Sequence, residues 1–369
     1  MRDEILKVFR KWLFIDDEIP LDIVMATALA ALFPGDPVWT LLCSSPGGGK
    51  TEMVRALSGP YVYSLDSLTT KTLVSGLKDK KSTQKFGILP DLDGKLLVIK
   101  DLTVMLQGAA IPRPEENVFT QLRAAYDGEY AAAHGSGHKR QYYKTKFGVI
   151  AAVTPIVDRY RVMNSALGER FLTIRIHQNS NESIKKAQEN CGKEELMRAE
   201  LQLAMKSALD YYKSMGTTLG IPMLDTDIMT KIQTLGEITA KLRTEVDRDW
   251  QRVVTSLPET EVGTRLVKQL TRLGEMLKLY DAFDYSKLVR VCRDSLNRIR
   301  EKVARTVFED YKVTPWDVHR KVGLSYPTIR DACEDLFLLS LCDKEEKGRT
   351  PYYSYKPEVL ELILKSELF

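Results

Sequence analysis

The chain predicts an α/β fold: a P-loop core with a parallel sheet and flanking helices, then an all-α lid and a C-terminal winged helix. Three observations carry this. Short apolar runs recur through the first half with the length and β-branched content of buried strands. One of them, residues 38–43 (VWTLLC), runs into a glycine-rich loop and then a helix-forming stretch. From Ser183 onward the pattern changes to long charged amphipathic helices with few strand signals.

The elements follow in order. Residues 1–34 read as helical, with 21–33 (LDIVMATALAALF) strongly apolar and stopped by Pro34-Gly35. After the loop and its helix come candidate strands at 61–65, 95–99 (KLLVI), 147–153 (FGVIAAV) and 171–176 (FLTIRI). The polar, lysine-rich stretch 69–85 reads as solvated helix and loop, and 117–126 as a short amphipathic helix. Alternating stretches on either side of His134-Gly135-Ser136-Gly137 give a β-hairpin signal. The expected segments are a helical start at 1–34, the α/β core at 35–182, a helical lid at 183–303 broken near Pro258 and Gly263, and the winged helix at 304–369.

Composition sets the class. With 369 residues, 44% hydrophobic and 28% charged, the chain can bury two or three ordinary globular cores. A net charge of +4 leaves any nucleic-acid argument to local clusters. Cys43, Cys191, Cys292, Cys333 and Cys342 are scattered, and the four histidines have no metal-ligand spacing, so neither a disulfide framework nor a zinc site is expected. No run reaches transmembrane length and the N-terminus lacks a signal-peptide core; the expectation is a protein with no membrane association, located in the cytoplasm.

The loop SSPGGGKT carries the first chemistry. Gly47, Gly48 and Gly49 accept positive φ and let the backbone approach an anion. Lys50 can then reach the β- and γ-phosphates of ATP, and the Thr51 hydroxyl can ligate Mg²⁺. The nucleotide-binding set is Ser45, Pro46, Gly47, Gly48, Gly49, Lys50, Thr51 and Glu52. The Walker A pattern asks for glycine at position 44, where this chain has Ser44, small enough for the turn.

A second acid is needed for Mg²⁺ or for the attacking water. The strand LLVIKD offers Asp101, either as the metal-directed aspartate or in place of the catalytic glutamate, with Glu115 and Glu116 as further candidates. Thr154, ending GVIAAVT between the P-loop strand and the acid strand, can orient water against the γ-phosphate. Arg170, just before the strand FLTIRI, suits a finger that reaches a neighbour's γ-phosphate; Arg159 and Arg161 compete for that role.

Two regions bear on DNA. His138, Lys139, Arg140 and Lys144 cluster with Tyr142 and Tyr143 at the tip and returning strand of the hairpin, a combination suited to phosphates and stacked bases. In 314–369, a helix, a turn at Gly323 and a second helix precede two β-like pieces around EEKGRT. This places Tyr326, Thr328 and Arg330 at the start of a recognition helix and Lys344, Lys347 and Arg349 on a wing. Winged helices also dock proteins, and Glu334, Asp335, Glu345 and Glu346 leave that alternative open.

Together these residues resemble a known superfamily. SSPGGGKT resembles the GPPGTGKT loop of AAA+ ATPases, IAAVTP their sensor-1 strand, and GERF the segment bearing their arginine finger. TRLVKQLTRL is similar to the sensor-2 helix of minichromosome-maintenance helicases, which makes Arg265 the sensor-2 candidate. The stretch 127–154 is placed like the pre-sensor-1 hairpin, and the motifs together look like the AAA+ ATPases of phages and mobile elements over residues 20–280. The resemblance implies ATP and Mg²⁺ as cofactors, and a homo-oligomeric ring, expected as a hexamer, with the hairpin in its channel. It also implies DNA, and possible replication proteins, as partners. The expected activity is a DNA-dependent ATPase, a replicative helicase or translocase of a phage or mobile element. The rival expectations are a helicase loader or protein remodeller, and a nucleotide-gated DNA-binding switch.

Overall fold

A computed structural model describes residues 1–73, 87–103, 105–106, 118–132, 141–159, 170–177 and 179–369. The chain divides into two compact units. One contains Met1–Met223 and Arg272–Asp284, the other Leu224–Thr271 and Tyr285–Phe369. The helical stretch that begins at Ser183 is thus shared: residues 183–223 and 272–284 cluster with the α/β core.

The first unit is built on five parallel strands: β1 (Trp39–Cys43), β2 (Val62–Leu65), β3 (Leu96–Ile99), β6 (Gly148–Val153) and β7 (Phe171–Arg175), in the order β2-β3-β6-β1-β7. The four strands after β2 are buried along their whole length, as expected of a parallel sheet covered on both faces. On one face lies α2 (Ile19–Ala31), which is buried almost entirely. Thr27 Oγ1 on α2 meets Thr40 Oγ1 on β1 at 2.8 Å, which satisfies two hydroxyls in a dry interface. Position 148 must be glycine, because a Cβ there would come within 2.8 Å of Ala31 Cβ. On the other face Trp39 is fully buried and packs against Tyr126, Phe147 and Phe171 at centroid distances of 5.0, 5.6 and 5.2 Å. Its indole N–H donates to the Phe147 carbonyl at 2.8 Å.

Around the sheet stand α1 (Arg2–Trp12), α3 (Lys50–Ala56), α4 (Thr70–Leu73), α5 (Val118–Tyr126), α6 (Ser180–Glu189) and α7 (Glu194–Leu219). The expected hairpin is present as an antiparallel pair, β4 (Glu129–Ala132) with β5 (Gln141–Lys144). Its tip, with His138, Lys139 and Arg140, lies outside the described residues. Among the described residues no helix is long and apolar enough to cross a membrane.

The second unit contains α8 (Thr226–Arg243), the start of α9 (Thr264–Leu279), α10 (Tyr285–Asp294), α11 (Arg298–Asp310), α12 (Pro315–Val322), α13 (Tyr326–Leu338), the antiparallel hairpin β8 (Cys342–Lys347) and β9 (Thr350–Tyr355), and α14 (Pro357–Ser366). A capping box between Thr314 and Asp317 starts α12, and Gly323 in the left-handed conformation ends it. Beneath α13 the Asp335 carboxylate accepts from Arg248 at 2.8 Å and from Arg300 at 2.9 Å, joining three chain segments around one buried charge cluster. Burial pushes the Cys333 thiol up to about 12 and the Cys342 thiol higher still, so both stay protonated and inert.

Candidate functional site

β1 delivers the glycine-rich loop to the carboxyl edge of the sheet, the edge where ligands of open α/β sheets bind. The Ser44 N–H continues the β-ladder by donating to the Val153 carbonyl at 3.2 Å, and the chain then turns. Gly47 and Gly49 take φ of 79° and 73°, a region closed to most side chains, and Gly49 is the N-cap of α3. Ser44 is buried, and its Oγ donates to the Ser45 carbonyl at 3.1 Å. A Cβ at position 48 would sit 2.7 Å from that Oγ, so the serine fits only because Gly48 has no side chain.

Lys50 is buried at the head of α3, with Nζ 3.4 Å from the Ser45 carbonyl. Burial pulls its pKa below the ordinary value, and the negative charge of Asp101 opposes the shift. The loop's lysine and the acid at the end of β3 therefore face each other electrostatically.

Asp101 is fixed by a short relay. Its Oδ1 accepts the Thr103 N–H at 2.8 Å, and Thr103 Oγ1 accepts the Thr154 N–H at 3.1 Å and lies 3.4 Å from Thr154 Oγ1. Since β6 lies between β3 and β1, Thr154 stands at the end of the strand that separates the acid from the loop. Lys100, the preceding residue, turns the other way and pairs with Asp66 beyond β2 at 2.9 Å. The Lys-Asp pair at 100–101 thus splits into a structural cation and a carboxylate beside the loop. Thr51 and Asp101 supply oxygen donors of the kind Mg²⁺ takes together with substrate phosphates and water.

A cavity of about 320 Å³ opens on the loop. Gly47–Glu52 form one wall; Trp12, Leu13 and Phe14 after α1, and Lys186, Asn190 and Met197 from α6 and α7, form the others. Asn190 Nδ2 donates to the Trp12 carbonyl at 2.9 Å and so ties the two outer walls together. The Glu52 carboxylate accepts from Arg198 Nη2 and Nε, at 3.0 and 3.1 Å, which clamps α3 to α7. Sequence reasoning assigned Glu52 to the nucleotide but missed Thr103, Trp12, Phe14, Asn190 and Arg198. Only the apolar WLF triplet after α1 could have hinted at a wall.

The arginines are distributed differently. Arg170 is buried, donates to Asp127 at 3.0 Å, and lies with its guanidinium carbon 5.5 Å from the Tyr126 ring centroid. It precedes β7, and Phe171 pairs with Trp39 at the far end of β1. Along the strand that is about 13 Å from the level of the loop, at ~3.3 Å per residue. Arg175, not singled out from sequence, ends β7 opposite Cys43, bidentate to Asp158 at 3.0 and 2.7 Å. Arg265 is exposed at the start of α9 and belongs to the second unit. Arg161, Glu115 and Glu116 lie outside the described residues, as does the side chain of Arg159.

Of the described DNA candidates, Lys144 is exposed on β5, in register with Glu129. Tyr326 stacks on Trp316 at 4.4 Å, and the Thr328 hydroxyl meets that of Ser325 at 2.8 Å. Arg330 pairs with Asp331 and Lys344 with Glu346, Lys347 lies 5.6 Å from the Tyr352 ring centroid, and Arg349 is exposed at the hairpin turn. No protein-family model matches the chain and no curated protein is similar to it, so its geometry and its sequence motifs carry the functional reading.

Proposed function

We propose that this chain is an AAA+ ATPase that couples ATP hydrolysis to movement along, or remodelling of, DNA, most specifically a replicative helicase of a phage or mobile element. The observation that carries the proposal is the constellation of Lys50, Asp101 and Thr154 at one edge of a parallel sheet, with Thr103 joining the last two. In this reading the loop amides and Lys50 hold the triphosphate, and Thr51 and Asp101 hold Mg²⁺, which neutralises charge on the phosphates. Thr154 orients the attacking water. Arg170 lies at the opposite edge of the sheet from its own loop and is buried against Asp127, so a role toward a neighbour's nucleotide requires its guanidinium to leave that pair. Residues 183–303 are read as the lid, and α12, α13 and the β8–β9 hairpin as a winged helix.

A second reading for that end domain has its own support. The partners of Arg330 and Lys344 are acids of the same surface, which lowers its attraction for phosphate and favours a protein-docking module, as in a helicase loader. Steady-state ATPase activity with and without single-stranded and duplex DNA, on wild type and Lys139→Ala/Arg140→Ala, tests the proposal. Stimulation by DNA that the double variant loses is the expected result. Activity indifferent to DNA and to the hairpin tip would replace the motor with the loader or switch.

A further inference from the structure

In the second unit the link between α8 and α9 is not a slack loop. Residues 247–255 form a small hairpin: Arg248 and Val254 bridge antiparallel, Asp249 N–H donates to the Val253 carbonyl at 2.9 Å, and Thr255 N–H donates to the Asp247 carbonyl at 3.0 Å. The Asp249 carboxylate accepts the Val253 N–H at 2.8 Å, and Arg252 takes the left-handed φ of 67° that the turn requires. A buried guanidinium nails this hairpin to α13. Arg248 donates to Glu334, to Asp335 and to the Arg252 carbonyl, and Arg252 adds an ion pair to Asp331 at 3.3 Å.

This rigid support holds apolar side chains out in water. Trp250 is 89% exposed, and Leu257 and Val262 further along the link are 85% and 78% exposed. Ordered backbone with a large bare tryptophan is the signature of a contact residue, since indole anchors dominate the energetics of interfaces. The rim decides what it contacts. Residues 245–261 carry five acids and only two arginines, both arginines are engaged with α13, and Asp247, Asp249 and Glu259 form no ion pair among the described residues. Unpaired carboxylates repel a phosphate backbone and an anionic membrane, and attract a protein surface with cations around an apolar recess. This chain has exposed cations elsewhere on its surface. The segment's net −3 leaves +7 on the rest, and Lys7, Arg123, Lys185, Arg298 and Lys302 are exposed and form no ion pair among the described residues.

We infer that the 247–262 segment is a self-association element, with Trp250 and Leu257 inserting into a second copy of this chain and the acidic rim meeting its cations. The inference deepens the oligomeric part of the proposed function and does not depend on ATP hydrolysis.

Sedimentation velocity over a concentration series, with and without ATP and Mg²⁺, tests it on wild type, Trp250→Ala/Leu257→Ser and Glu259→Lys. The apolar double variant should raise the dissociation constant for self-association at least ~10-fold. Glu259→Lys should weaken association and flatten its salt dependence. Thermal melting checks that each variant is folded, which the exposure of all three side chains leads us to expect. Unchanged association in the double variant, or a wild type that stays monomeric in every condition, overturns the inference. So does a double variant that associates normally and loses DNA affinity, which would reassign Trp250 to nucleic acid. Because association is read without turnover, a chain that failed to bind ATP would sink the ATPase reading and leave this test standing.

Discussion

Ser44 and Gly48 share one space: the serine hydroxyl stands 2.7 Å from where a side-chain carbon at position 48 would begin. With Ser44 in place, position 48 has no room for a side chain. Gly48→Ala should therefore destabilise the loop by about 1–3 kcal/mol, the usual range for overpacking, and abolish nucleotide binding. Ser44→Gly/Gly48→Ala should recover most of both. Denaturant melts and titration with a fluorescent ATP analogue measure the pair, and a double variant no better than Gly48→Ala would show that the clash is not the cause.

Thr103 makes a distinct prediction because it touches Asp101 and Thr154 without being expected to touch nucleotide. Thr103→Ala should lower kcat about 10-fold with little change in KM, as for an interaction felt mainly in the transition state, and Thr103→Ser should restore it. Thr154→Ala should cost more, about 10²-fold, the scale seen when one positioned polar group is removed. An equal rise in KM for Thr103→Ala would place it in ground-state binding.

For Lys50 the sign runs against the usual salt bridge. Its folded pKa is lowered, chiefly by burial, so the unfolded chain binds the proton more tightly. The penalty is complete below the folded pKa and is relieved as pH rises from there toward the ordinary value of 10.5. Apo wild type should gain stability over that alkaline interval, and Lys50→Met should lack the gain while losing ATP binding. Thermal melts across the interval decide it; parallel curves for the two proteins would remove Lys50 from the account.

Arg170 predicts a result that depends on mixing. Arg170→Ala and Lys50→Ala should each be nearly inactive alone, with an arginine finger contributing about 10³-fold or more. Mixed, they should regain part of the wild-type rate, because some interfaces would pair an intact loop with an intact arginine. No recovery, with both variants assembled, would confine Arg170 to its pair with Asp127.

In the second unit, Asp335 is the common acceptor of Arg248 and Arg300. Asp335→Ala leaves two largely buried guanidinium groups short of a carboxylate and should cost about 3–5 kcal/mol in unfolding free energy. A loss below about 1 kcal/mol would mean that Glu334 and Glu245 take over the load.

The sheet was readable because four of its five strands are apolar runs too short for a helix, and the loop because only glycine tolerates the backbone at Gly47 and Gly49. Lys50 was readable from its place after the glycine loop, and Asp101 and Thr154 from theirs just past strand ends. What joins them was not: Thr103 becomes a link only because β3 and β6 are neighbours, a relation fixed by the chain's path and invisible in local pattern. The same limit hid the wall at Trp12–Phe14, which reaches the loop through packing across a long sequence separation. Arg170 reads as an edge residue in sequence; in the fold its guanidinium is buried beside Tyr126 and donates to Asp127.

β7 is an outer strand of the sheet and carries an arginine before its first residue and another at its last, each held by a carboxylate from a different element. Its length is thereby fixed. An incoming strand extending the ladder past either end would have to strip a guanidinium from its partner, and a five-residue edge gives little in exchange. The edge is thus poorly suited to runaway strand addition.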